Sequence, residues 1–433
     1  MNTLPKIVEV QTKRLLELAG LAKLDRDPRF QKALMAVAVG GDTKLASKLT
    51  QILHPLAIRE QFCGVPFYTP EFEELCAGLD GEQLALLGVV FESDVPLLYP
   101  FNWLNQHAYV GGASGTGKTN ALYSIALQTM RYCPVWVFDQ SKQDYRHMLR
   151  LFPDLHVFDA KDFRFNPLEV PPGVKPEHHL TAFVTIFVKS NNLLDGSENM
   201  LTKACYQLYE ERGILSGSQD FPTLLDIRDR IKSYKFRPYS REAGYQDSLL
   251  NRFGGYLIAA PELYGCSKGF AISELAERSL VLEVKGLSER HSRCLLNWVL
   301  FTLFLYRIGN RQRGNTLRNL VIIDEAKWAA PPGYNQNLGF VPLASVLAQS
   351  REAGIGIIIA DQTADLDASV MVNSRLKMCM RLGSGADMER VRKTFALSRE
   401  QEAHIAKLGT GQAIIRVPQI DPFLIRIPRV RLG

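Results

Sequence analysis

The chain has 433 residues, of which 46% are hydrophobic and 22% charged, enough for two or three domains or for one core with large insertions. Its 51 basic and 45 acidic side chains leave a formal charge of +6, which permits a nucleic-acid partner without requiring one. The 7 cysteines are dispersed with no C-x-x-C pair, which excludes a disulfide framework and a zinc site; the start lacks an apolar signal core and no run approaches ~20 apolar residues, which excludes a membrane span and places the chain in the cytoplasm.

Residues 1–60 are expected to be helical. Ile7 to Leu24 repeats apolar residues at a helical period, Asp25-Arg26-Asp27-Pro28 breaks it, and Pro28 opens a second helix that ends before Gly40-Gly41. This region is either a helical cap on the core or a docking arm for another subunit or protein. Residues 61–174 begin an α/β core. Leu87 to Phe91 and Pro96 to Tyr99 are short strands, and from His107 the pattern alternates strand and helix. Val135 to Asp139 and His156 to Asp159 are apolar runs that end in a carboxylate, as in a mainly parallel, doubly covered sheet.

The most informative segment is Gly112-Ala113-Ser114-Gly115-Thr116-Gly117-Lys118-Thr119, which spells G-x-x-x-x-G-K-[ST]. The run Ala108-Tyr109-Val110 precedes it, and Asn120 to Met130 suits a helix. A strand that turns through glycines into a helix start points several N–H groups at one place, and the helix dipole adds positive potential there. Such a loop suits ATP. Lys118 would reach the β- and γ-phosphates and the Thr119 hydroxyl would bind Mg²⁺, with Asn120 completing the nucleotide contacts.

Residues 175–278 depart from the strand–helix rhythm. Pro176 to Lys189, Glu198 to Arg212 and Thr223 to Lys232 have helical patterns, so a mainly helical insertion is expected. A basic, aromatic stretch follows: Lys232, Tyr234, Lys235, Arg237, Tyr239, Arg241. It is a solvated loop or a contact for phosphates or a neighbouring subunit.

The core resumes over 279–433, with strands at Ser279 to Val284, Leu320 to Asp324, Ile355 to Asp361, Met378 to Leu382, Gln412 to Arg416 and Phe423 to Ile427. Cys294 to Leu305 suits a buried helix. Leu320-Val321-Ile322-Ile323-Asp324-Glu325 puts two carboxylates at a strand's C-terminal end, the edge where open α/β sheets bind ligands. Asp324 would hold the Mg²⁺ shell, and Glu325 would polarise a water for attack on the γ-phosphate. Gln362, at the tip of the next strand, would touch the γ-phosphate or that water. Arg351 neutralises a helix C-terminus or projects into a neighbour's site as a finger, with Arg375 and Arg381 as rival fingers.

Together, His107 to Thr119, Leu320 to Ala326 and Ser350 to Gln362 resemble the HerA/FtsK group of P-loop ATPases, which includes the HerA translocases, the FtsK chromosome pumps and the conjugative coupling ATPases. Phe165-Asn166-Pro167-Leu168-Glu169 with Pro171-Pro172-Gly173 adds to the likeness, as do Asn373, Arg381-Leu382 and Leu408-Gly409-Thr410-Gly411-Gln412-Ala413. The resemblance covers roughly residues 85–430. It implies a RecA-like core, phosphate and Mg²⁺ contacts for Lys118 and Thr119, the acidic-pair roles for Asp324 and Glu325, a γ-phosphate sensor at Gln362 and a trans finger at Arg351. It further implies a hexameric ring around double-stranded DNA, ATP hydrolysis stimulated by DNA, and a partner nuclease, in DNA processing or phage defence. A nucleotide-gated scaffold or protein-moving ATPase is the alternative. The helical start departs from the β-barrel usual in HerA proteins. Asp139-Gln140-Ser141-Lys142-Gln143-Asp144 lacks the glycine expected after the second strand, which leaves Asp144 unmapped and Asp139 as a supporting carboxylate.

Overall fold

A computed structural model describes every residue except 1–3, 23, 26, 64, 141, 142, 313, 333–341, 432 and 433. Ser141 and Lys142, within the departure just noted, therefore lie outside the described residues. The chain divides into two compact units, Met1–Phe67 and Tyr68–Gly433.

The first unit consists of helices α1 (Leu4–Leu21), α2 (Pro28–Gly40) and α3 (Thr43–Cys63). Asp27 starts α2 by accepting from the N–H groups of Arg29 and Phe30, with Pro28 in the first turn where its missing N–H costs nothing. Gly41 closes it with φ 63°, so the helix runs through Gly40, one residue past the expected end. Leu15, Ala19, Phe30, Val37, Ala46 and Leu53 form the unit's own apolar core.

The second unit begins with α4 (Phe72–Cys76), β1 (Leu84–Val90), β2 (Pro96–Pro100), β3 (Ala108–Gly111), α5 (Lys118–Thr129), β4 (Val135–Asp139) and β5 (His156–Asp159). Six helices follow: α6 (Pro176–Ser190), α7 (Asp195–Glu211), α8 (Leu224–Ser233), α9 (Arg241–Ala259), α10 (Pro261–Tyr264) and α11 (Ile272–Leu275). The chain then returns through β6 (Leu280–Glu283), α12 (Glu289–Gly309), β7 (Asn319–Ile323), α13 (Pro342–Gln349), β8 (Ile355–Asp361), α14 (Ala368–Asn373) and β9 (Leu376–Cys379). It ends with α15 (Gly385–Phe395), α16 (Arg399–Ile405), β10 (Gln412–Arg416) and β11 (Phe423–Arg426).

Among the described residues, eleven strands join one sheet in the order β2-β1-β11-β10-β9-β3-β8-β7-β4-β6-β5. From β9 to β5 the pairing is parallel throughout. The strands β3, β4, β7 and β8 are buried along their whole length, so they read as unbroken apolar runs and not as alternation. β10, β11, β1 and β2 close the other edge in antiparallel pairs. The fold is α/β with a mainly parallel sheet, as expected.

Two expectations change. The strand expected at Met378 to Leu382 lies at Leu376–Cys379; beyond it, Met380 N–H donates to Gly111 O at the end of β3 and Arg381 O accepts from Ala113 N–H in the loop that follows. The second is α9, 19 residues long, which opens inside the basic aromatic stretch; Ser240 caps it by accepting from the Ala243 N–H. Aromatic packing ties the helices between β5 and β6 to α12: Phe187 stacks on Phe253 at 4.5 Å and Phe183 on Trp298 at 5.3 Å. The buried run Cys294 to Leu305 lies within α12. Among the described residues no helix is long and apolar enough to cross a membrane.

Candidate nucleotide site

β3 lies between β8 and β9, with Gly111 level with Asp361 and Cys379, so the glycine loop leaves the sheet at its C-terminal edge. Backbone bonds fix its base: Gly112 N–H donates to Asp361 O (3.1 Å), Ala113 N–H to Arg381 O (2.9 Å) and Gly411 N–H to Thr116 O (2.9 Å). Thr116 Oγ1 donates to Ala113 O at 2.7 Å across the turn. The glycines have steric reasons. A Cβ at Gly112 would stand 2.8 Å from Met380 Cβ, and Gly117 has φ 108°. Gly115 and Gly117 have no carbonyl partner for their N–H groups among the described residues, and those of Lys118 and Thr119 open α5 where no intrahelical acceptor exists. Ser114 and Gly115 face solvent. The result is a cradle of donors at a helix start, fit for phosphate oxygens.

Lys118 is 7% exposed, and its Nζ makes no hydrogen bond with the protein. Asp324 Oδ1 stands 3.4 Å from it. A buried ammonium with donors to spare fits an anion that the chain itself does not supply. Thr119 is half-buried one residue on. Asp324 follows β7 at the same sheet edge, so Lys118, Thr119 and Asp324 converge as a phosphate and Mg²⁺ site requires. Asn120 is engaged elsewhere: its amide donates to Pro428 O (2.9 Å) and accepts from Val430 N–H (2.7 Å). Its side chain pins the C-terminal segment against α5.

Glu325 lies beside Asp324 in a left-handed backbone conformation, φ 53° and ψ 47°. Several bonds hold that turn. Asp324 Oδ1 accepts from Glu325 N–H (2.9 Å), Asp361 Oδ2 from Lys327 N–H (2.7 Å), and Glu325 Oε1 from Gln362 Nε2 (2.9 Å). Strained backbone of this kind concentrates at functional sites. The turn separates the two carboxylates: one stands beside the lysine, the other is held by the tip of β8. Burial raises the Asp361 pKa.

The three arginines separate by position. Arg381 is exposed at the cradle's own edge, its carbonyl bonded to Ala113. Arg375 precedes β9 at the opposite edge, where its guanidinium bonds Gln106 Oε1 and lies 5.1 Å from the centre of the Trp103 ring. Arg351 is exposed in the turn between α13 and β8. β8 has 7 residues, so the backbone at Arg351 and its own cradle stand at opposite ends of a strand that spans about 20 Å at ~3.3 Å per residue.

His107, at the start of β3, holds the segment that carries Arg351. Its Nδ1 accepts from Ile357 N–H (3.1 Å), so Nε2 carries the proton and donates to Leu347 O (2.7 Å). Burial pushes the ring down to about 4, and that of His179 likewise. Both are depressed below the unfolded value of ~6.5, so between those limits the unfolded state binds more protons and stability falls as pH falls. Lowering the pH from 7 to 5 should therefore reduce the melting temperature, with each histidine contributing on the order of 2 kcal/mol; Asp361 acts modestly in the opposite sense. A melting temperature that is flat or rises over this range contradicts buried neutral histidines.

One participant was not evident from the sequence. Tyr145 is fully buried in a 3-10 turn after β4, packs edge-on against Tyr123 of α5, and donates its hydroxyl to Asp324 Oδ2 at 2.9 Å. It lies just after the segment that departs from the family pattern, and an isolated tyrosine there gave no signal. Tyr145→Phe should keep the fold and nucleotide binding without Mg²⁺, but raise the Mg²⁺ concentration for half-maximal nucleotide binding several-fold. An unchanged Mg²⁺ titration would show that the hydroxyl does not orient Asp324. Asp139 is buried at the end of β4, and Asp144 opens the turn before Tyr145. Asn166 is spent on structure, donating to Pro222 O and Ser267 O.

A glycine cradle at the switch from β3 to α5, with an acidic strand end beside it, defines a protein of the P-loop nucleotide-binding class. No family model matches the chain. In sequence it is similar to the DNA double-strand break repair helicase HerA of Sulfurisphaera tokodaii, 22% identical over 386 residues, covering 86% of this chain and 73% of that protein. In structure it is similar to VirB4 of Thermoanaerobacter pseudethanolicus (TM-score 0.63, 17% identity, 81% of this chain and 98% of that one). It is also similar to the plasmid coupling protein TrwB in complex with ADP and Mg²⁺ (TM-score 0.59, 15% identity, 85% and 94%). The chain is thus similar in sequence to a HerA helicase and shares the fold of the VirB4 and TrwB proteins.

Proposed function

We propose that this protein is a Mg²⁺-dependent ATPase that assembles as a ring, a hexamer as the family resemblance implies, and moves double-stranded DNA. One observation carries the reading: a buried lysine without a hydrogen bond lies 3.4 Å from a strand-end carboxylate, inside a cradle of free N–H groups. In the mechanism, Gly115, Gly117, Lys118 and Thr119 bind the triphosphate, and Lys118 offsets charge on the β- and γ-oxygens. Thr119 and Asp324 would hold Mg²⁺, which would neutralise charge on the phosphate oxygens. Glu325 takes a proton from the attacking water, and Gln362, now bonded to Glu325, fixes the distance between that carboxylate and the γ-phosphate. Arg351, beyond the opposite end of β8 from its own cradle, offsets developing charge in a neighbour's.

The resemblance also implies that strand cutting, in end processing or phage defence, would fall to a partner nuclease. The alternative, a nucleotide-gated scaffold, draws on the modest charge of +6 and the separate helical unit at the start. Phosphate release measured with and without duplex DNA separates the two. A several-fold stimulation, with salt-sensitive duplex binding, supports the translocase. Hydrolysis indifferent to DNA, without such binding, supports the scaffold.

A further inference from the structure

The turn joining α8 to α9 presents an unusual surface. Between Lys232 and Gln246 stand four cations, Lys232, Lys235, Arg237 and Arg241, against one carboxylate, Glu242. All four cations are exposed, and among the described residues none is in an ion pair. The neighbouring arginines of α8 behave differently: Arg228 pairs with Asp229, and Arg230 with Glu211. Glu242 turns back onto its own backbone and Ser240, with a smaller attraction to its neighbour Arg241. The cations therefore keep their charge toward solvent.

Two aromatic rings share this surface. Tyr239 is fully exposed at φ 63°, and Phe236 is 36% exposed. A left-handed conformation for a bulky side chain costs free energy, and an exposed ring recovers none of it by burial. The turn is nevertheless built firmly. Tyr234 Oη donates to Gln207 Oε1 (2.7 Å), and Gln246 Nε2 donates to both Ile231 O (2.7 Å) and Tyr234 O (3.0 Å). Ser240 N–H donates to Arg237 O (3.1 Å) as the turn closes into α9. A loop that served only to connect two helices would satisfy its cations locally and fold its tyrosine down.

From this we infer that the α8–α9 turn is a sequence-independent contact for the DNA backbone, resting on the translocase reading above. Lys235, Arg237 and Arg241 meet phosphates, and Tyr239 and Phe236 lie against sugar or base faces. Phosphate contacts of this kind position a duplex without reading it, as a protein that moves along any sequence requires. Cations already paired with carboxylates would contribute little, because they would have to give up their partners.

The test is binding of a labelled duplex to the full-length protein over a range of salt concentrations. For the triple variant Lys235→Ala, Arg237→Ala, Arg241→Ala the slope of log affinity against log salt should fall in magnitude by about three, and affinity at low salt by at least about ten-fold. Basal hydrolysis without DNA should stay unchanged. A control variant, Arg228→Ala with Arg230→Ala, should leave the slope close to wild type. Tyr239→Ala distinguishes strand state: loss of about ten-fold on single-stranded DNA with duplex affinity kept assigns the ring to unpaired bases, and loss on both assigns it to the backbone. A triple variant with the wild-type slope overturns the inference and leaves the turn to a protein partner. Equal slope changes in the triple and control variants overturn it as well, since overall charge alone would then govern binding. Wild-type protein that binds no DNA at any salt would instead sink the translocase reading on which the inference stands.

Discussion

Glu325→Gln is expected to bind ATP within about two-fold of wild type and to lose at least about 100-fold in turnover, since a general base contributes 10²–10⁴-fold. The reason is local. Glu325 is held in a left-handed turn, beside Asp324 but bonded to Gln362 and not to the buried lysine. The amide keeps the bond pattern's shape and removes the proton acceptor. Nucleotide affinity measured by fluorescence, beside phosphate release, checks both halves. Near wild-type turnover would remove Glu325 as the base, and lost affinity would mean that it holds substrate instead.

Arg351→Ala is expected to bind ATP in its own cradle and yet fall in turnover by a factor on the order of 10³, the effect of losing a finger arginine. The geometry makes the case. Arg351 stands beyond the opposite end of β8 from the glycine loop, which favours a phosphate of a neighbouring protomer over one of its own. Its turn is not loose: His107 grips Leu347 on one side and Ile357 on the other. Mixing Arg351→Ala with Lys118→Ala subunits should restore part of the activity, because one interface in a mixed assembly then pairs an intact cradle with an intact arginine. No recovery, with both variants shown to assemble, would assign the finger elsewhere. Arg375, stacked on Trp103 and bonded to Gln106, is a poor substitute, and Arg381 stands at the cradle's own edge, where it would act within one protomer.

Much of this architecture was legible in the sequence because its physical causes are local. Glycines that must adopt φ above zero, strands buried on both faces and an Asp-Pro helix start each leave their mark within a few residues. The convergence of Lys118 with Asp324 followed because a parallel sheet gathers its strand ends on one edge. What escaped depends on distant partners. Tyr145 gains its place in the site through Asp324, 179 residues away. Asn120 reads as a nucleotide contact from its position after Lys118-Thr119, but the C-terminal segment, some 310 residues on, claims its amide. Helix α9 hid behind a basic aromatic start, which resembles a loop until Ser240 is seen capping it.

Hydrolysis, as proposed, takes place between protomers. The most direct measurement is the particle mass of the Glu325→Gln protein, in which bound ATP persists, with and without ATP, Mg²⁺ and duplex DNA. The account predicts a shift to a closed multimer when nucleotide and duplex are both present. A protein that stays at the mass of one chain under every condition, while the wild type hydrolyses ATP at a specific rate independent of its concentration, would contradict it.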